Sequence, residues 1–211
     1  MYLSMEDYEP GRVYENLVKM MAYRNVTITE PILSSDTLVQ KLNNNEWVSI
    51  VGTRPGDDPR GKATVAVVLI KPDSSFASKT AEFKKLVKIF PKSDGNLEII
   101  VISDTGLSNH IKKYIENQFN EENPNTRIED YDYELFTSEK PKSDVMPRHE
   151  IVTTEAEEFC ASMYMSPSSF PGISQNDAAA VWLGIRVGMV VKVHRISETA
   201  GKSYAYRYCN R

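Results

Sequence analysis

The stretch Gly56-Asp57-Asp58-Pro59-Arg60-Gly61-Lys62-Ala63 comes within one residue of the phosphate-binding loop GxxxxGK[ST]. That loop works only after a strand and before a helix, whose N-terminal amides face the phosphates, and it needs a hydroxyl for magnesium. Here Ala63 stands where the hydroxyl belongs, the residues that follow are strand-like, and Asp57 and Asp58 would repel phosphate. The stretch reads as an exposed connection between strands. A nucleotide-dependent enzyme built on Gly56 to Lys62 remains one functional reading, which nucleotide titration with no change in melting temperature would dismiss.

The other groups with chemical potential are scattered. His110, His149 and His194 are distant from one another, and none adjoins a Ser or Cys in a nucleophile-elbow pattern. His194 shares its strand with Lys192, and with Arg207 as a further neighbour its imidazolium form would be disfavoured. Glu121, Glu122, Glu155, Glu157 and Glu158 read as solvated charge. Cys160 and Cys209 have no second Cys or His at ligand spacing, which points to buried thiols in a reducing compartment rather than a zinc site or disulfide framework. No acid/base pair assembles, and neither metal nor cofactor is expected.

Two features could meet nucleic acid. Lys84, Lys85, Lys88 and Lys92 make one helix face basic. The loop Ser103-Asp104-Thr105-Gly106-Leu107-Ser108-Asn109 runs from a strand into a helix carrying Lys112 and Lys113, and hydroxyl, amide and helix-end N–H groups there can hold one phosphate. Ser108, Asn109 and Lys112 are the candidate nucleic-acid contacts.

The elements that must position these groups follow from periodicity. The chain has 211 residues, 41% apolar and 26% charged, which is ordinary globular composition and enough for two small domains. Apolar runs such as Val65 to Ile70 are far shorter than the ~20 residues of a membrane span, and the first fifteen residues lack a signal-peptide pattern. Val13, Leu17, Met20, Met21 and Arg24 predict one helix, and Leu38, Val39 and Leu42 after a Ser35 cap predict another. Trp47 to Val51, Lys62 to Ile70 and Leu97 to Ile102 read as strands, the second continuous enough to be covered on both sides. Phe83, Leu86, Val87 and Phe90 predict a helix between the last two, and Ile111, Tyr114, Ile115 and Phe119 another before the alternating run Tyr131, Tyr133, Leu135.

Thr137 to Asp144 is polar and contains Pro141, and the expected boundary lies near residue 145. Residues 146–211 carry seven Lys and Arg against six Asp and Glu, whereas residues 1–145 carry five net negative charges. The second part reads as small and α+β. Thr154-x-x-Glu157 has the form of a capping box opening a helix with Ala156, Phe159, Cys160 and Met163 inward. Asp177 caps a helix that Gly184 ends, and Met189 to Arg195 with Ser203 to Cys209 form a hairpin.

The second part also carries an ordered set of motifs. They are Met146-Pro147-Arg148-His149-Glu150, Phe170-Pro171-Gly172-Ile173, Trp182-Leu183-Gly184, Gly188 to Val193, Arg195-Ile196-Ser197-Glu198-Thr199-Ala200-Gly201 and Tyr206-Arg207. In this order they resemble the assembly domain of the fifth subunit of eukaryotic nuclear RNA polymerases, a domain that archaeal RNA polymerases carry as a small separate chain. Residues 1–145 are similar in layout to that family's eukaryotic jaw domain, an α/β unit with helices on a small mixed sheet. Two positions depart from the family pattern: Ala178 stands where Pro usually opens the helix, and Ile196 where Pro follows Arg. Ala is the best intrinsic helix former, so the helix start survives. Such divergence fits a lineage-specific paralogue or a viral homologue.

The resemblance implies a non-catalytic, structural subunit of a multisubunit DNA-directed RNA polymerase. It docks on the largest subunit through residues 146–211 and lies beside downstream double-stranded DNA, which it touches weakly and without sequence selection. The implied interface comprises Arg148, His149, Arg195, Glu198, Thr199, Gly201, Tyr204, Tyr206 and Arg207. Alternating tyrosines suit an interface, as they also suit the lid of a small core. The implied location is the nucleus, or cytoplasm and virion for a viral homologue. A stand-alone DNA-binding regulator carrying the same module is the alternative.

Overall fold

The computed structural model describes residues 9–71, 80–90, 96–104, 106–143, 146–197 and 201–211. The chain forms helices and two mixed sheets, an α+β fold in two compact units, 1–138 and 139–211. Among the described residues no helix is long and apolar enough to cross a membrane.

The first unit holds α1 (Pro10–Tyr23), β1 (Thr27–Ile28), α2 (Ser35–Asn43), β2 (Val48–Arg54), β3 (Ala63–Leu69), α3 (Thr80–Ile89), β4 (Asn96–Ser103), α4 (Asn109–Tyr114), α5 (Asn120–Glu122) and β5 (Thr126–Asp132). Its sheet runs in simple order from β1 to β5. β1, β2 and β3 are antiparallel, whereas β3, β4 and β5 are parallel and joined by helical crossovers. Every residue of β3 is buried, as its unbroken apolar run requires of a strand covered on both faces. Ala66, Val68, Ile99 and Val101 meet Phe83, Leu86, Phe90, Ile111 and Phe119 from α3 and the α4 region. The alternate residues Val65, Val67, Ile100 and Ile102 are equally buried on the opposite side.

Several local expectations shift. α2 is capped by Ser34, whose hydroxyl accepts from the Thr37 N–H, so Ser35 is already helical. α4 passes into a π-helical turn at Ile115–Phe119 before α5. The strand expected around Tyr131 to Leu135 lies earlier, as β5, and Tyr133–Phe136 is instead a 3-10 turn capped by Asp132. Glu134 N–H donates to that carboxylate at 2.8 Å, which turns the chain out of the extended conformation.

The second unit contains β6 (His149–Ile151), α6 (Thr153–Ser162), β7 (Gly172–Ser174), α7 (Ala178–Leu183), β8 (Val190–Ser197) and β9 (Gly201–Asn210), with sheet order β6-β8-β9-β7. Asp177 caps α7 through the Ala179 N–H at 2.8 Å, and Gly184 ends it in the left-handed region at φ 62. α7 and its flanks bury Ala179, Ala180 and Ile185 against Val191, Val193 and Cys209. Across the sheet, Ala156 of α6 packs with Val152 and Val190. Cys160 and Cys209 are both buried, and neither is in a disulfide.

The expected capping box does not form. α6 starts at Thr153 with Val152 in the capping position and no side-chain cap. Val152 is held by its N–H on the Val190 carbonyl and itself accepts from Ala156 N–H, so the helix opens ahead of Thr154. Phe159 and Met163, expected inside, are 40% and 60% exposed. Phe159 stacks instead on Phe170 and Tyr206, with ring centroids 6.1 and 5.5 Å away.

Candidate functional site

The Gly56 to Ala63 stretch joins β2 to β3 as a hairpin, and β3 follows where a phosphate loop would need a helix. It is not the freely exposed connection that its polar sequence suggests. Asp58 is 8% exposed, accepting from the backbone N–H and Nε of Arg60 at 2.9 and 2.7 Å and from Asn25 Nδ2 at 3.1 Å. Burial pushes its carboxyl up, but hydrogen bonds from Arg60 and Asn25 outweigh that and hold it down at about 2. Arg54 donates from Nε to the Gly61 carbonyl and engages Glu98 with two further N–H groups. Within the loop Asp58 and Arg60 pair with each other, while Asp57 and Lys62 stay exposed.

The candidate DNA contacts lie together at the start of α4. Ser108 Oγ accepts from the Ile111 N–H at 3.4 Å, and Asn109 is exposed as the first helical residue. Lys112 is tied to Asp130 of β5 at 2.9 Å, and the same carboxylate oxygen accepts from the Leu107 N–H. Ser103, at the base of the loop, is 1% exposed and out of reach of a ligand. Of the lysine face on α3, Lys84 sits 4.4 Å from the Tyr114 ring centroid and Lys85 pairs with Glu82. Lys92 lies outside the described residues.

The implied interface residues of the second unit divide between the two faces of its sheet. β8–β9 register pairs Lys192 with Tyr206 and His194 with Tyr204 on one face. On that face Lys192 Nζ meets Glu155 at 2.8 Å, Tyr206 donates its hydroxyl to the same carboxylate at 2.7 Å, and Lys192 lies 4.7 Å from the Tyr204 ring centroid. His194 pairs with Glu150 at 3.2 Å and packs edge-on against Tyr204. Its expected neighbour Arg207 belongs to the opposite face, because β-strand side chains alternate. Tyr206 is thus partly structural, while Tyr204 remains 57% exposed.

The opposite face opens into a cavity of about 580 Å³. His149, Arg195 and Arg207 line it from β6, β8 and β9, together with Lys140, Asp177 and the departure residue Ala178. Arg207 Nη1 donates to the Gly172 carbonyl at 2.9 Å, which fixes the guanidinium beside β7. His149 Nδ1 lies 2.6 Å from the Pro147 carbonyl, and burial holds its imidazole below the ordinary histidine range, with Arg207 and His194 pushing the same way. The floor is apolar, formed by Ile173, Ala179 and Val193. Arg148 is exposed beside this region, its carbonyl accepting from the His194 N–H. Gly201 begins β9 opposite Ser197 at φ +68, whereas Glu198 and Thr199 lie outside the described residues.

Only tertiary structure gathers this cavity, since its cations come from separate segments. Sequence periodicity showed no trace of Lys140 belonging with them. Among the described residues no cluster of three or more His, Cys, Asp or Glu has the arrangement of a metal site.

Residues 140–209 match the family described as RNA polymerase Rpb5, C-terminal domain. Over 202 residues, 93% of this chain and 95% of the other, the chain is 26% identical to the DNA-directed RNA polymerase RPB5 homolog of an African swine fever virus isolate. It is 30% identical over 154 residues to the DNA-directed RNA polymerases I, II, and III subunit rpabc1 of Dictyostelium discoideum, covering 72% of this chain and 74% of that one. A shorter likeness, 42% over 64 residues, links 30% of this chain to 77% of the DNA-directed RNA polymerase subunit Rpo5 of Nitrosopumilus maritimus.

Proposed function

Since the chain belongs to the Rpb5 family of RNA polymerase subunits, we propose that it serves as a non-catalytic, structural subunit of a DNA-directed RNA polymerase. The observation that carries this reading is the match over residues 140–209, the same residues that build the second unit and its cavity. Residues 146–211 are the assembly domain and dock on the largest subunit. The surfaces used are the cavity face, with His149, Arg195 and Arg207, and the exposed Tyr204 on the other side of the sheet, with Arg148, Glu198, Thr199, Gly201 and Tyr206 completing the contact.

Residues 1–145 form the jaw-like domain and lie beside the downstream duplex. With five net negative charges over those residues it cannot hold DNA by itself, because affinity for DNA derives mainly from neutralised phosphates. The assembled polymerase delivers the duplex, and Ser108, Asn109 and Lys112 supply local donors to one or two phosphates. The protein works in the nucleus, or in cytoplasm and virion if the polymerase is viral; its relatives include a eukaryotic and a viral chain.

Affinity purification of the tagged full chain from its own cells tests this. Two very large catalytic chains should co-elute through high salt. A chain that elutes alone and binds DNA with nanomolar, sequence-selective affinity would instead be the stand-alone regulator.

A further inference from the structure

The cavity of the second unit has a charge imbalance that its own residues leave open. Lys140, Arg195 and Arg207 converge on it, and among the described residues none of the three makes an ion pair there. The one described carboxylate on its lining, Asp177, caps α7 and offsets one of the three charges, so the cations still outnumber it. Three like charges around one small volume repel each other, and the repulsion is relieved when an anion enters. The other wall is apolar, with Met146, Ile173, Ala178 and Val193. A free phosphate would use the cations and leave this wall unused. A polypeptide segment carrying Asp or Glu beside an apolar side chain uses both, and forked guanidinium–carboxylate pairs give it orientation.

We propose that this cavity receives an acidic segment of a neighbouring polymerase subunit, with its carboxylates on Arg195, Arg207 and Lys140 and an apolar side chain against Ile173 and Val193. The proposal rests on the reading of the chain as a polymerase subunit and names the chemistry of the contact. Arg207 has a positioning part as well, since its bond to Gly172 holds β7 beside the cavity. Arg195 is exposed and Lys140 half-buried, so both can be reversed in charge without opening the core.

The experiment uses the full chain assembled into its polymerase. A photo-crosslinking residue replaces Ser143, which is exposed on the cavity rim, and the crosslinked peptide is identified by mass spectrometry. The expected product is a segment of another subunit with Asp or Glu at the crosslink. In parallel, Arg195→Glu combined with Lys140→Glu should lower incorporation at physiological salt at least tenfold. Arg195→Lys, which keeps the charge and loses the fork, should lower it less than the charge reversal does, and reversing the crosslinked acidic residues to Lys should rescue the Glu variants. A melting temperature unchanged in the isolated variants confirms that they fold. Crosslinks to a basic segment or to nucleic acid, or no crosslink at all, overturn the proposal. Saturable binding of pyrophosphate by the isolated chain with no protein crosslink overturns it in favour of a small-anion site. If the unaltered chain fails to co-elute with polymerase, the subunit reading itself falls; if it co-elutes and the crosslink misses, only the acidic segment does.

Discussion

Arg54 on β2 reaches over β3 to clasp Glu98 on β4, with Nη1 3.0 Å from Oε2 and Nη2 on Oε1. Both side chains are almost wholly buried. A strand of nothing but apolar and small residues thus lies under a charged clamp at its N-terminal end, where the β2–β3 hairpin closes.

Removing one half of that clamp strands a charge. Glu98→Ala should destabilise the first unit by about 3–5 kcal/mol, whereas Arg54→Met with Glu98→Leu should recover most of the loss. Denaturant unfolding of the three proteins gives the answer, and equal stability of single and double variants would contradict it.

Acid should loosen the same unit in a defined window. Burial raises the Glu129 carboxyl, but Arg24 and Arg127 outweigh it and bring it from 4.5 to about 2. The folded state therefore binds fewer protons than the unfolded chain across that interval, and the contribution present above pH 4.5 is lost as pH falls towards 2. Asp58 acts in the same direction. The slope of stability against pH should be shallower in Glu129→Gln than in the parent.

His149 works with the opposite group chemistry and the same sign of slope. Its folded value lies below 6.5, so protonation favours the unfolded chain. Its contribution is complete above 6.5 and fades as pH falls to the folded value. An NMR titration should place its midpoint below that of a histidine in a short peptide, and Arg207→Gln should raise it.

Two glycines should fail for different reasons. A Cβ at Gly201 meets nothing within 4 Å, so Gly201→Val suffers only from its positive φ, at a cost of about 1–3 kcal/mol, and Gly201→Asn should be milder. A Cβ at Gly52 would lie 2.6 Å from the Thr27 carbonyl oxygen, so Gly52→Ala should detach β1 and expose its amides to hydrogen exchange. Incorporation into polymerase should fall further for Gly201→Val than for Lys62→Ala.

At the α4 start, Ser108→Glu sets a carboxylate where the proposed phosphate would sit. It should weaken the polymerase's hold on downstream DNA without changing subunit composition. Asp130→Asn, which releases Lys112 from its 2.9 Å ion pair, should strengthen that hold and steepen its salt dependence. Equal salt slopes would remove Lys112 from the contact.

β3, β4 and α3 were legible because burial leaves a simple trace in them: an unbroken apolar run, or Phe83, Leu86, Val87 and Phe90 at helical spacing. The α7 caps were legible because Asp177 and Gly184 each answer a local backbone need. β5 was displaced because it carries Arg127, Glu129 and Asp130 on half-buried positions, and charge paired inside a protein looks like charge in water until its partner is known. Arg54 and Arg60 were unreadable as interior residues for the same reason, whereas helical spacing alone set Arg24 on the apolar face of α1. The cavity brings Lys140 to Arg207 across most of a domain, and no local pattern reports such a meeting. His149, Arg195 and Arg207 came to notice through family motifs instead.

β9 is the last strand of its unit in sequence and yet lies inside the sheet, between β8 and β7. A ribosome has made β6, both helices, β7 and β8 before the strand that unites them exists. Until Gly201 to Asn210 is available, β7 has no neighbour in the sheet and β8 has only the three-residue β6. A chain cut short before that segment would lack the strand between β8 and β7, and on the docking proposed above it should fail to enter the polymerase.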